Sequence, residues 1–576
     1  MTRFVFYLAW AFATIMLVAS SLLASAAVVE HTWDVENFSV ERLCNQHVIT
    51  GVNGTLPGPG IEAQEGDTVI IHVNNKSPYN VTIHWHGIFQ LASQWSDGPE
   101  YVTQCPIGPG GSYTYNFTIT GQEGTLWWHA HSSFLRANIY GSLIIRPSKG
   151  RSYPFSQVHQ EVPILLGEWW NDNVEDIGNN ASKGIAPRNS DAYTINGLPG
   201  DFYNCSQNQT YRLNVEQGKR YLLRIINAAL NEQHFFKIAN HSFTVVAIDA
   251  GYTREYKTDV IVLAPGQTVD AIITTNQRVG SYYMAFSPYR SSNVRNDTAI
   301  ARGVITYEGA SSTSAPIMPN LPDAHDTPTA HKFYSNLTGL ADGPHWIPVP
   351  RKVDENMFIA FGIALTVCNL PGPSACLNAF GVNSPFSASM NNESFVLPTG
   401  RGFSMLEAFY RNVSGVYTKD FPSQPPLVFN YTDPSLETNT SNPLIFAPKS
   451  TKAKTLKFNS TVQIVLQNTA ILGTENHPIH VHGFNFYVLA QGFGNYNATI
   501  AEPQFNCVDP QVRNTISVPV GGWAVIRFQA NNPGIWLVHC HLETHLPWGL
   551  AMSFEVENGP TPSTRLPPPP ANLPKC

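Results

Sequence analysis

Pairs of histidines separated by one residue are the feature of this sequence with the clearest chemical potential. On a β-strand, residues i and i+2 point to the same face about 6.5–7 Å apart, so an H-x-H pair presents two imidazoles to adjacent metal ions. A single pair of this kind is more typical of a solvated or hydrogen-bonded strand edge. Four such clusters in one chain are hard to explain in that way, and they predict a multinuclear metal site. Ten of the 19 histidines lie in these clusters: His84 and His86; His129 and His131; His477, His480 and His482; His539, His541 and, just beyond, His545.

Cys540 lies between His539 and His541 and adds a sulfur ligand to the last cluster. If the two flanking imidazoles point to one side of the strand, the thiol points to the other. A thiolate with two imidazoles in a trigonal arrangement is typical of a blue-copper site, and His477 and His545 are the available partners. The remaining eight histidines suffice for three further copper ions. The strand would then connect a copper on one face covalently to a copper cluster on the other, which is an arrangement for moving electrons.

A weak internal repeat predicts the elements that position these clusters. Segments with alternating β-branched and aromatic residues, bounded by glycine, proline and asparagine, occur in three copies and are typical of strands. Gly124 and Gly534 are each followed at +5 and +7 by histidine, whereas Gly280 of the middle copy is followed there by Ala285 and Ser287. The pattern predicts an all-β protein of three tandem β-sandwich domains, with a metal site between the first and third and the second as a spacer.

The repeat and the local composition give the domain boundaries. Arg3, an apolar run over 4–23 and the small residues at 24–26 are typical of a secretory signal peptide. The run is long enough to span a membrane, but the cleavage site that follows it favours a signal. We therefore assign a signal peptide to 1–26, domain 1 to 27–150, domain 2 without copper ligands to 160–310, a long Pro-rich connection to 311–400 and domain 3 to 401–576.

Charge and composition exclude some classes of function. The net charge is −7, with 34 Lys+Arg against 41 Asp+Glu, so the chain lacks the basic surface that a nucleic-acid partner requires. After the signal, no apolar stretch predicts a membrane span, and the end of the chain lacks the apolar tail of a lipid-anchor signal, so we predict no membrane anchor. Seventeen Asn-x-Ser/Thr triplets predict a heavily glycosylated, secreted protein.

The mature chain resembles the multicopper oxidases over essentially its whole length, and most closely the plant laccases. The resemblance is carried by the four copper motifs, by NGTLPGP at 53–59, by WSDGP at 95–99 and by the closing LPKC at 573–576. It implies three cupredoxin-like domains and four copper ions. The implied ligands are His477, Cys540 and His545 for type 1, His84 and His480 for type 2, and His86, His129 and His541 with His131, His482 and His539 for the two type 3 ions.

The resemblance also implies the reaction and its setting. Phenols such as monolignols and hydroquinones would each lose one electron at type 1, and the trinuclear cluster would reduce dioxygen to two waters. The expected role is lignin and phenolic polymer metabolism by a monomer in the apoplast or cell wall. An ascorbate oxidase or a ferroxidase would share the coppers and is an alternative. A redox-inactive cell-wall glycoprotein is another, although family members of that kind lack ligands and none is missing here.

The axial position of type 1 separates subfamilies. In the family it lies ten residues after the cysteine, which is Leu550 here. Leucine cannot ligate, and the absence of a thioether raises the copper potential, which suits phenol oxidation. Leu550 is equally explained as a core residue of the last strand. Met552 could share its face, and as a ligand it would lower the potential and favour an ascorbate oxidase; we interpret it as core.

Two carboxylates are candidates for proton delivery, because reducing dioxygen consumes protons. By analogy with the family they are Asp97 and Glu543, which join Cys540 as candidate catalytic residues. Each has an ordinary alternative. Asp97 lies in a Ser-Asp-Gly-Pro turn, and Glu543 would be a solvated residue between the last histidine pair and His545.

The cysteine count leaves one residue over. Cys540 is assigned as a ligand, which leaves seven of the eight cysteines. Once three pairs are formed, Cys507 is odd, and we predict a buried free thiol that packs as a small hydrophobe, with an intermolecular disulfide as the alternative. The family pattern implies the pairs Cys44–Cys205 and Cys105–Cys576, and proximity in sequence favours a local loop closed by Cys368 and Cys376.

Overall fold

The computed structural model describes residues 26–290, 299–311, 313–367, 384–437, 443–473 and 475–576. Over these ranges the chain forms three consecutive β-sandwiches with short helices between strands, which confirms the predicted all-β class. Residues 1–25 of the predicted signal peptide lie outside the described part. Within the described part, no helix combines the length and the apolar character needed to cross a membrane.

The first sandwich packs two four-stranded sheets around a core rich in tryptophan. One sheet has the order β2-β1-β4-β6 and the other β3-β8-β7-β5, where the strands are β1 (Val28–Arg42), β2 (Asn45–Val52), β3 (Ile61–Gln64), β4 (Thr68–Asn75), β5 (Ile83–His86), β6 (Ser112–Thr118), β7 (Gly124–Ala130) and β8 (Tyr140–Arg146). The alternation of buried and partly exposed residues along β4 shows the period of two that the sequence predicted. The edge strand β5 carries the first histidine pair, and β7 beside it leads into the second.

The second sandwich packs a six-stranded sheet on a five-stranded sheet. The orders are β10-β9-β12-β17-β14-β15 and β11-β19-β18-β13-β16. The strands are β9 (Gln160–Trp169), β10 (Ala192–Ile195), β11 (Arg212–Val215), β12 (Arg220–Asn227), β13 (Gln233–Ile238), β14 (Phe243–Ile248), β15 (Gly251–Thr258), β16 (Ile261–Leu263), β17 (Thr268–Thr274), β18 (Ser281–Tyr289) and β19 (Ala301–Tyr307).

The third sandwich pairs the sheets β21-β20-β25-β30-β27-β28 and β24-β32-β31-β26-β29, with a small β22-β23 pair beside them. Its inner strands β26 and β31 carry the third and fourth metal motifs. The strands are β20 (Glu355–Leu365), β21 (Phe386–Met390), β22 (Ser394–Phe395), β23 (Lys449–Ser450), β24 (Ala453–Leu456), β25 (Ser460–Asn468), β26 (His477–Val481), β27 (Phe486–Phe493), β28 (Gln511–Arg513), β29 (Thr515–Val518), β30 (Gly522–Ala530), β31 (Gly534–Cys540) and β32 (Ala551–Val556).

Helices are short and lie between the sandwiches or at their ends. The α-helices are α1 (Val174–Ser182), α2 (Thr327–Ser335), α3 (Met405–Arg411), α4 (Ala498–Ala501) and α5 (His545–Trp548). The 3-10 helices cover Gln94–Ser96, Ser133–Ala137, Pro434–Leu436, Pro443–Ile445, Glu502–Gln504 and Pro562–Thr564.

Part of the predicted connection over 311–400 belongs to the third sandwich. Strand β20 runs parallel to β25 in the middle of the large sheet, and β21 pairs with β20 at its edge. Almost every side chain of β20 after its first residues is buried, so this segment is core rather than linker. The stretch that connects the second and third sandwiches therefore ends before residue 355.

The disulfides tie distant parts of the chain together, and one cysteine differs from the prediction. The pairs Cys44–Cys205 and Cys105–Cys576 are present, as predicted. Cys368 and Cys376 lie outside the described residues. Cys507 is exposed, so the prediction of a buried thiol was wrong. It lies in a tight turn in which the Asn506 side chain accepts hydrogen bonds from the backbone N–H groups of Val508 and Asp509, and this turn faces the surface.

Candidate metal centre

Eight histidines of the four motifs converge on one buried cluster between the first and third sandwiches, which we call the nest. Its members are His84, His86, His129, His131, His480, His482, His539 and His541. Rings from the two sandwiches lie in direct contact, with centroid distances of 3.9 Å for His86–His480 and 4.1 Å for His84–His482. Rings also approach closely between His131 and His539, at 5.2 Å. The structure thus brings the outer domains together at the histidines, as the offset of the repeat predicted.

Strand register explains why these side chains share a face. His84 on β5 lies directly opposite His129 on β7, and His480 on β26 lies opposite His539 on β31. Directly opposed residues of antiparallel strands project to the same side of the sheet. The first and third sandwiches therefore each present histidines from two adjacent strands, and these two sets of histidines face each other.

The ligand atoms of these side chains form groups with the dimensions of metal sites. Within each group, one ligand atom from every member lies within 4.8 Å of the others. The groups are His84, His480 and His482; His84, His86 and His129; His131, His482 and His539; and, separately, His477, Cys540 and His545. His541 adjoins the second group, since its Nε2 lies 3.1 Å from Nδ1 of His86.

Backbone carbonyls fix which ring nitrogen of several histidines faces the nest. Nδ1 of His84 lies 2.7 Å from the Asp97 carbonyl, and Nδ1 of His539 lies 2.9 Å from the Cys540 carbonyl. A carbonyl oxygen only accepts, so each Nδ1 carries the proton and each Nε2 presents a lone pair to the nest. His129 and His480 have the same arrangement with other carbonyls.

The nest is chemically suited to cations. His482 donates Nδ1–H to Oδ2 of Asp97 at 3.0 Å, so its Nε2 lone pair faces that of His539 across 3.1 Å. Two lone pairs this close repel unless a cation lies between or beside them. Among the histidines of the nest, the buried Nε2 atoms of His84, His129, His131 and His480 also find no hydrogen-bond partner. Such atoms are the expected ligands of a metal.

Burial also keeps the imidazoles neutral. It lowers the pKa of His129, His131 and His482 well below the ordinary value, and repulsion from neighbouring imidazoles adds to the effect. The same causes lower the pKa of His477 to about 3. Neutral imidazole is the form that ligates metal, so the residues are ready to bind without first losing a proton near neutral pH.

Cys540 lies on the opposite side of its strand from the nest. Its Sγ is 3.6 Å from Nδ1 of His477 and 3.5 Å from Nδ1 of His545, in the core of the third sandwich. His539 and His541 on either side of it have their rings 5.6 Å apart within the nest. Burial raises the pKa of Cys540 well above its ordinary value, so a thiolate here requires a cation beside it. One thiolate and two imidazoles suit copper.

Leu550 and Met552 both lie in the core that surrounds Cys540. Leu550 is fully buried, and its carbonyl accepts a hydrogen bond from the backbone N–H of Cys540 at 3.0 Å. Met552 lies opposite Val538, which is two residues before Cys540, so its side chain projects to the sulfur side of the sheet. Both remain consistent with the core interpretation made from sequence.

The two candidate carboxylates occupy different surroundings. Asp97 is completely buried, and its carboxylate and carbonyl contact one histidine from each outer sandwich, His84 and His482. It is more than a turn residue. Glu543 is mostly buried, with 12% of its side chain exposed, and it is ion-paired with Arg136 at 2.7 Å. It is therefore not a solvated residue.

Models of the multicopper oxidase family match residues 34–150, 160–310 and 420–560, which is more than half of the chain. The chain belongs to the multicopper oxidase family. Laccase-7 of Arabidopsis thaliana is 58% identical over 569 residues, covering 98% of each chain. Laccase-24 of Oryza sativa subsp. japonica is 54% identical over 580 residues, covering 97% of each chain.

Solved multicopper oxidases share the fold. The laccase of Botrytis aclada superimposes with a TM-score of 0.70 at 27% identity, over 92% of this chain and 88% of its own. Fet3p, a multicopper oxidase that functions in iron import, superimposes with a TM-score of 0.69 at 23% identity, over 92% and 90%. The predicted plant-laccase resemblance, the cupredoxin-like fold and the enzyme class are confirmed by these matches, and family membership implies copper cofactors.

The second sandwich of this multicopper oxidase is more than a spacer, because Gly266 packs against the nest. Gly266 lies in the turn between β16 and β17 with φ +91°, and a Cβ there would lie 2.9 Å from Cγ of His541 and 3.1 Å from Cε1 of His86. The contact of Gly266 with histidines of two other domains is visible only in the folded chain.

We expect Gly266→Ala to displace two histidines of the nest, to lower the copper content and to reduce dioxygen uptake about a hundredfold, because small misplacements of reacting groups have large kinetic effects. The matched control is Gly218→Ala, which has a similar φ of +81° but nothing within 4 Å of the added carbon in the described structure. Copper content per chain and dioxygen uptake test this. A Gly266→Ala enzyme with wild-type copper and rate would contradict it.

Two further buried carboxyls lie near the end of the nest, on Glu100 and on Glu175 of α1. Burial raises the pKa of each to about 7. Repulsion from Glu175 and Glu543 adds to the effect at Glu100, and repulsion from Glu543 and Asp176 adds to it at Glu175. Hydrogen bonds from Ser132 to Glu100 and from Ser133 to Glu175 act in the opposite direction. These acids are therefore neutral in the folded protein under weakly acidic conditions.

This shift predicts a pH-dependent effect of Glu175→Gln on stability. Between pH 4.5 and about 7 the folded protein keeps a proton that the unfolded chain has released, so wild-type stability falls as pH rises through this range. The glutamine variant should therefore gain stability relative to wild type above pH 7 and show little difference near pH 4. Unfolding midpoints at both pH values test this, with the exposed Glu255→Gln as control. A difference that did not change with pH would contradict the prediction.

Two charged residues of the site were not identified from the sequence. Glu475 is 37% exposed, and its Oε2 lies 3.6 Å from Nε2 of His545, beside the thiolate site. Arg136 contacts Glu543 and His541 from the first sandwich. Its position five residues after His131 was the available signal, but nothing local indicates that an arginine there turns inward.

Proposed function

We propose that this multicopper oxidase is a secreted laccase with four copper ions, which oxidises phenols at a type 1 site and reduces dioxygen at a trinuclear cluster. One observation carries the proposal. Cys540 faces His477 and His545 on one side of its strand, while its neighbours His539 and His541 face the nest on the other. The peptide bonds that join Cys540 to His539 and to His541 thus connect the site that accepts electrons to the cluster.

We assign the ligands as the family resemblance implies. His477, Cys540 and His545 would hold type 1, and His84 and His480 would hold type 2. For type 3, the sets would be His86, His129 and His541, and His131, His482 and His539. When bound, the type 1 ion accepts single electrons and the cluster supplies four of them to dioxygen. Four phenols lose four electrons and four protons, and dioxygen takes up the same numbers to give two waters.

The chain's own residues supply orientation and proton handling. Asp97 fixes the rings of His84 and His482 through their Nδ1 protons. Glu543 borders the nest and is the candidate for passing protons to it. Glu475, exposed beside His545, is placed to accept the proton that a phenol loses on oxidation.

An apolar surface depression beside His477 is the candidate phenol site. It is lined by Phe361, whose ring lies 5.5 Å from that of His477, and by further apolar residues that include Leu427 and Phe429. Aromatic and aliphatic walls with few polar groups favour an aromatic substrate. The non-ligating Leu550 at the axial position would keep the copper potential high, as phenol oxidation requires.

The remaining proposals concern the setting of the enzyme. The signal at 1–26 and the sequons support secretion to the apoplast or cell wall, with a role in phenolic polymer or lignin metabolism. We propose a monomer, with domains at 27–150 and 160–310 and a third domain that includes β20 onwards.

Dioxygen uptake by the copper-loaded protein tests the proposal. A methoxyphenol should be oxidised faster than ascorbate or ferrous iron. Preference for ascorbate would indicate an ascorbate oxidase, and preference for iron a ferroxidase. No uptake with any of the three would indicate the redox-inactive glycoprotein and would overturn the proposal.

A further inference from the structure

Arg136 is a fully buried guanidinium at the junction of the three sandwiches. It lies in the 3-10 segment Ser133–Ala137, immediately after the second histidine pair, and only 1% of it is exposed. Burying a charged group is costly unless its hydrogen bonds are all satisfied and a counter-charge is present. The position of Arg136 therefore requires a compensating set of partners.

Those partners come from the other two sandwiches. Nε donates to Oε2 of Glu543 at 2.7 Å, and the terminal nitrogens donate to three carbonyls, those of Ala229, Leu230 and His541, at 3.2, 3.3 and 3.0 Å. The remaining N–H faces Nδ1 of His541 at 3.0 Å. The four contacts to oxygen hold for either tautomer of His541. Four of the five N–H groups of the guanidinium thus donate to oxygen atoms.

This arrangement fixes Glu543 at the edge of the histidine nest. Arg136 and Glu543 line a small cavity together with His129, His131, His539 and His541. One carboxyl oxygen of Glu543 is held by Nε of Arg136. The planar guanidinium sets both the position and the direction of this contact, which the point charge of a lysine ammonium would not do.

We propose that Arg136 is a positioning residue for dioxygen reduction: it anchors the carboxyl group of Glu543 to the second sandwich so that the carboxyl stays at the cavity beside the copper ligands. The inference rests on the proposed function and extends it. Arg136 itself releases no proton, since a guanidinium is not deprotonated in proteins. It acts through Glu543, whose carboxyl group its Nε holds at 2.7 Å beside the cavity.

The first test separates the two half-reactions in Arg136→Lys. Anaerobic reduction of the blue band by a methoxyphenol should proceed at the wild-type rate, because the type 1 residues are untouched. Reoxidation by dioxygen should be about tenfold slower, as expected when a contact to an acid–base group is lost, and its solvent isotope effect should rise. Unchanged reoxidation would overturn the proposal. A blue band that phenol fails to bleach would instead overturn the proposed function.

The matched control is Arg224→Lys. Arg224 is equally buried, at 1% exposure, and bonds to Glu161, Asp270 and Thr125 instead of copper-site residues. Both variants should lose stability, but Arg224→Lys should reoxidise at the wild-type rate. Equal slowing in both would show that Arg136 is only structural and would overturn the proposal.

A double-mutant cycle asks whether Arg136 acts through Glu543. If it does, Arg136→Lys combined with Glu543→Gln should reoxidise within about twofold of Glu543→Gln alone. A further tenfold loss in the double variant would overturn the proposal. Infrared spectra of the copper-free protein also test the contact between Arg136 and Glu543. The difference from the spectrum of Glu543→Gln isolates the carboxyl band of Glu543. This band should shift in Arg136→Lys and stay in place in Arg224→Lys. Should Arg136→Lys fail to fold, Glu543→Asp withdraws the carboxyl from the guanidinium and must slow reoxidation in the same way.

Discussion

Replacing Cys540 by serine should abolish both the blue absorption and phenol oxidation. A buried hydroxyl does not ionise near neutral pH and offers copper neither the charge nor the soft sulfur that a thiolate provides. Because Sγ lies 3.6 and 3.5 Å from the ligand nitrogens of His477 and His545, no other side chain can take its place without rebuilding the core. The nest on the other side of the strand should still bind copper, so the copper content should fall by one ion per chain.

The spectrum, the copper content and dioxygen uptake measured on one preparation test this prediction. Cys507→Ser is the matched control, since it makes the same change at an exposed cysteine and should leave all three unchanged. Phenol turnover by the Cys540→Ser protein would mean that electrons enter the cluster by another route and would refute the proposed entry site.

Replacing Asp97 by asparagine should slow dioxygen reduction about ten- to a hundredfold, the usual range for residues that orient metal ligands. The carboxylate of Asp97 accepts a hydrogen bond from Nδ1–H of His482, and its carbonyl accepts one from Nδ1–H of His84. Asp97 therefore links ligands of the proposed type 2 and type 3 ions. Asparagine keeps the shape but removes the negative charge, and in one of its orientations it presents an N–H to His482. Reduction of type 1 by phenol should be unaffected.

Rapid mixing of the reduced enzyme with dioxygen measures the affected step. Asp67→Asn is the control, because Asp67 is also buried and accepts backbone hydrogen bonds, from Ala27 and Gln64, away from the nest. If Asp97→Asn reoxidised as fast as the control, Asp97 would be a turn residue with no part in the reaction.

The side of the strand that each of His539, Cys540 and His541 faces could be predicted from the sequence, because it depends on geometry that is local to a strand. Side chains alternate between the two faces of a strand, so Cys540 points to the other face from His539 and His541. This follows from their spacing alone. The repeat then indicated that the outer domains pool their histidines. The family resemblance supplied the grouping of ligands, which spacing alone leaves open.

Other contacts between domains could not be predicted from the sequence. Gly266 and Arg136 reach the nest from loops whose direction is set by how three sandwiches dock, and no periodicity records that. The same limit explains β20: its apolar run is strand-like, but its parallel pairing with β25 spans a hundred residues and is flanked by Pro-rich segments. Cys507 was placed in the core by its residue type, whereas the neighbouring asparagine turn decides its exposure.

The most direct measurement is anomalous X-ray diffraction at the copper edge from crystals of the copper-loaded protein. We expect one peak beside Sγ of Cys540, between His477 and His545, and three peaks among the eight histidines shared by the first and third sandwiches. A protein that loaded copper fully but showed no peak at Cys540, or whose remaining copper lay outside the nest, would contradict the account.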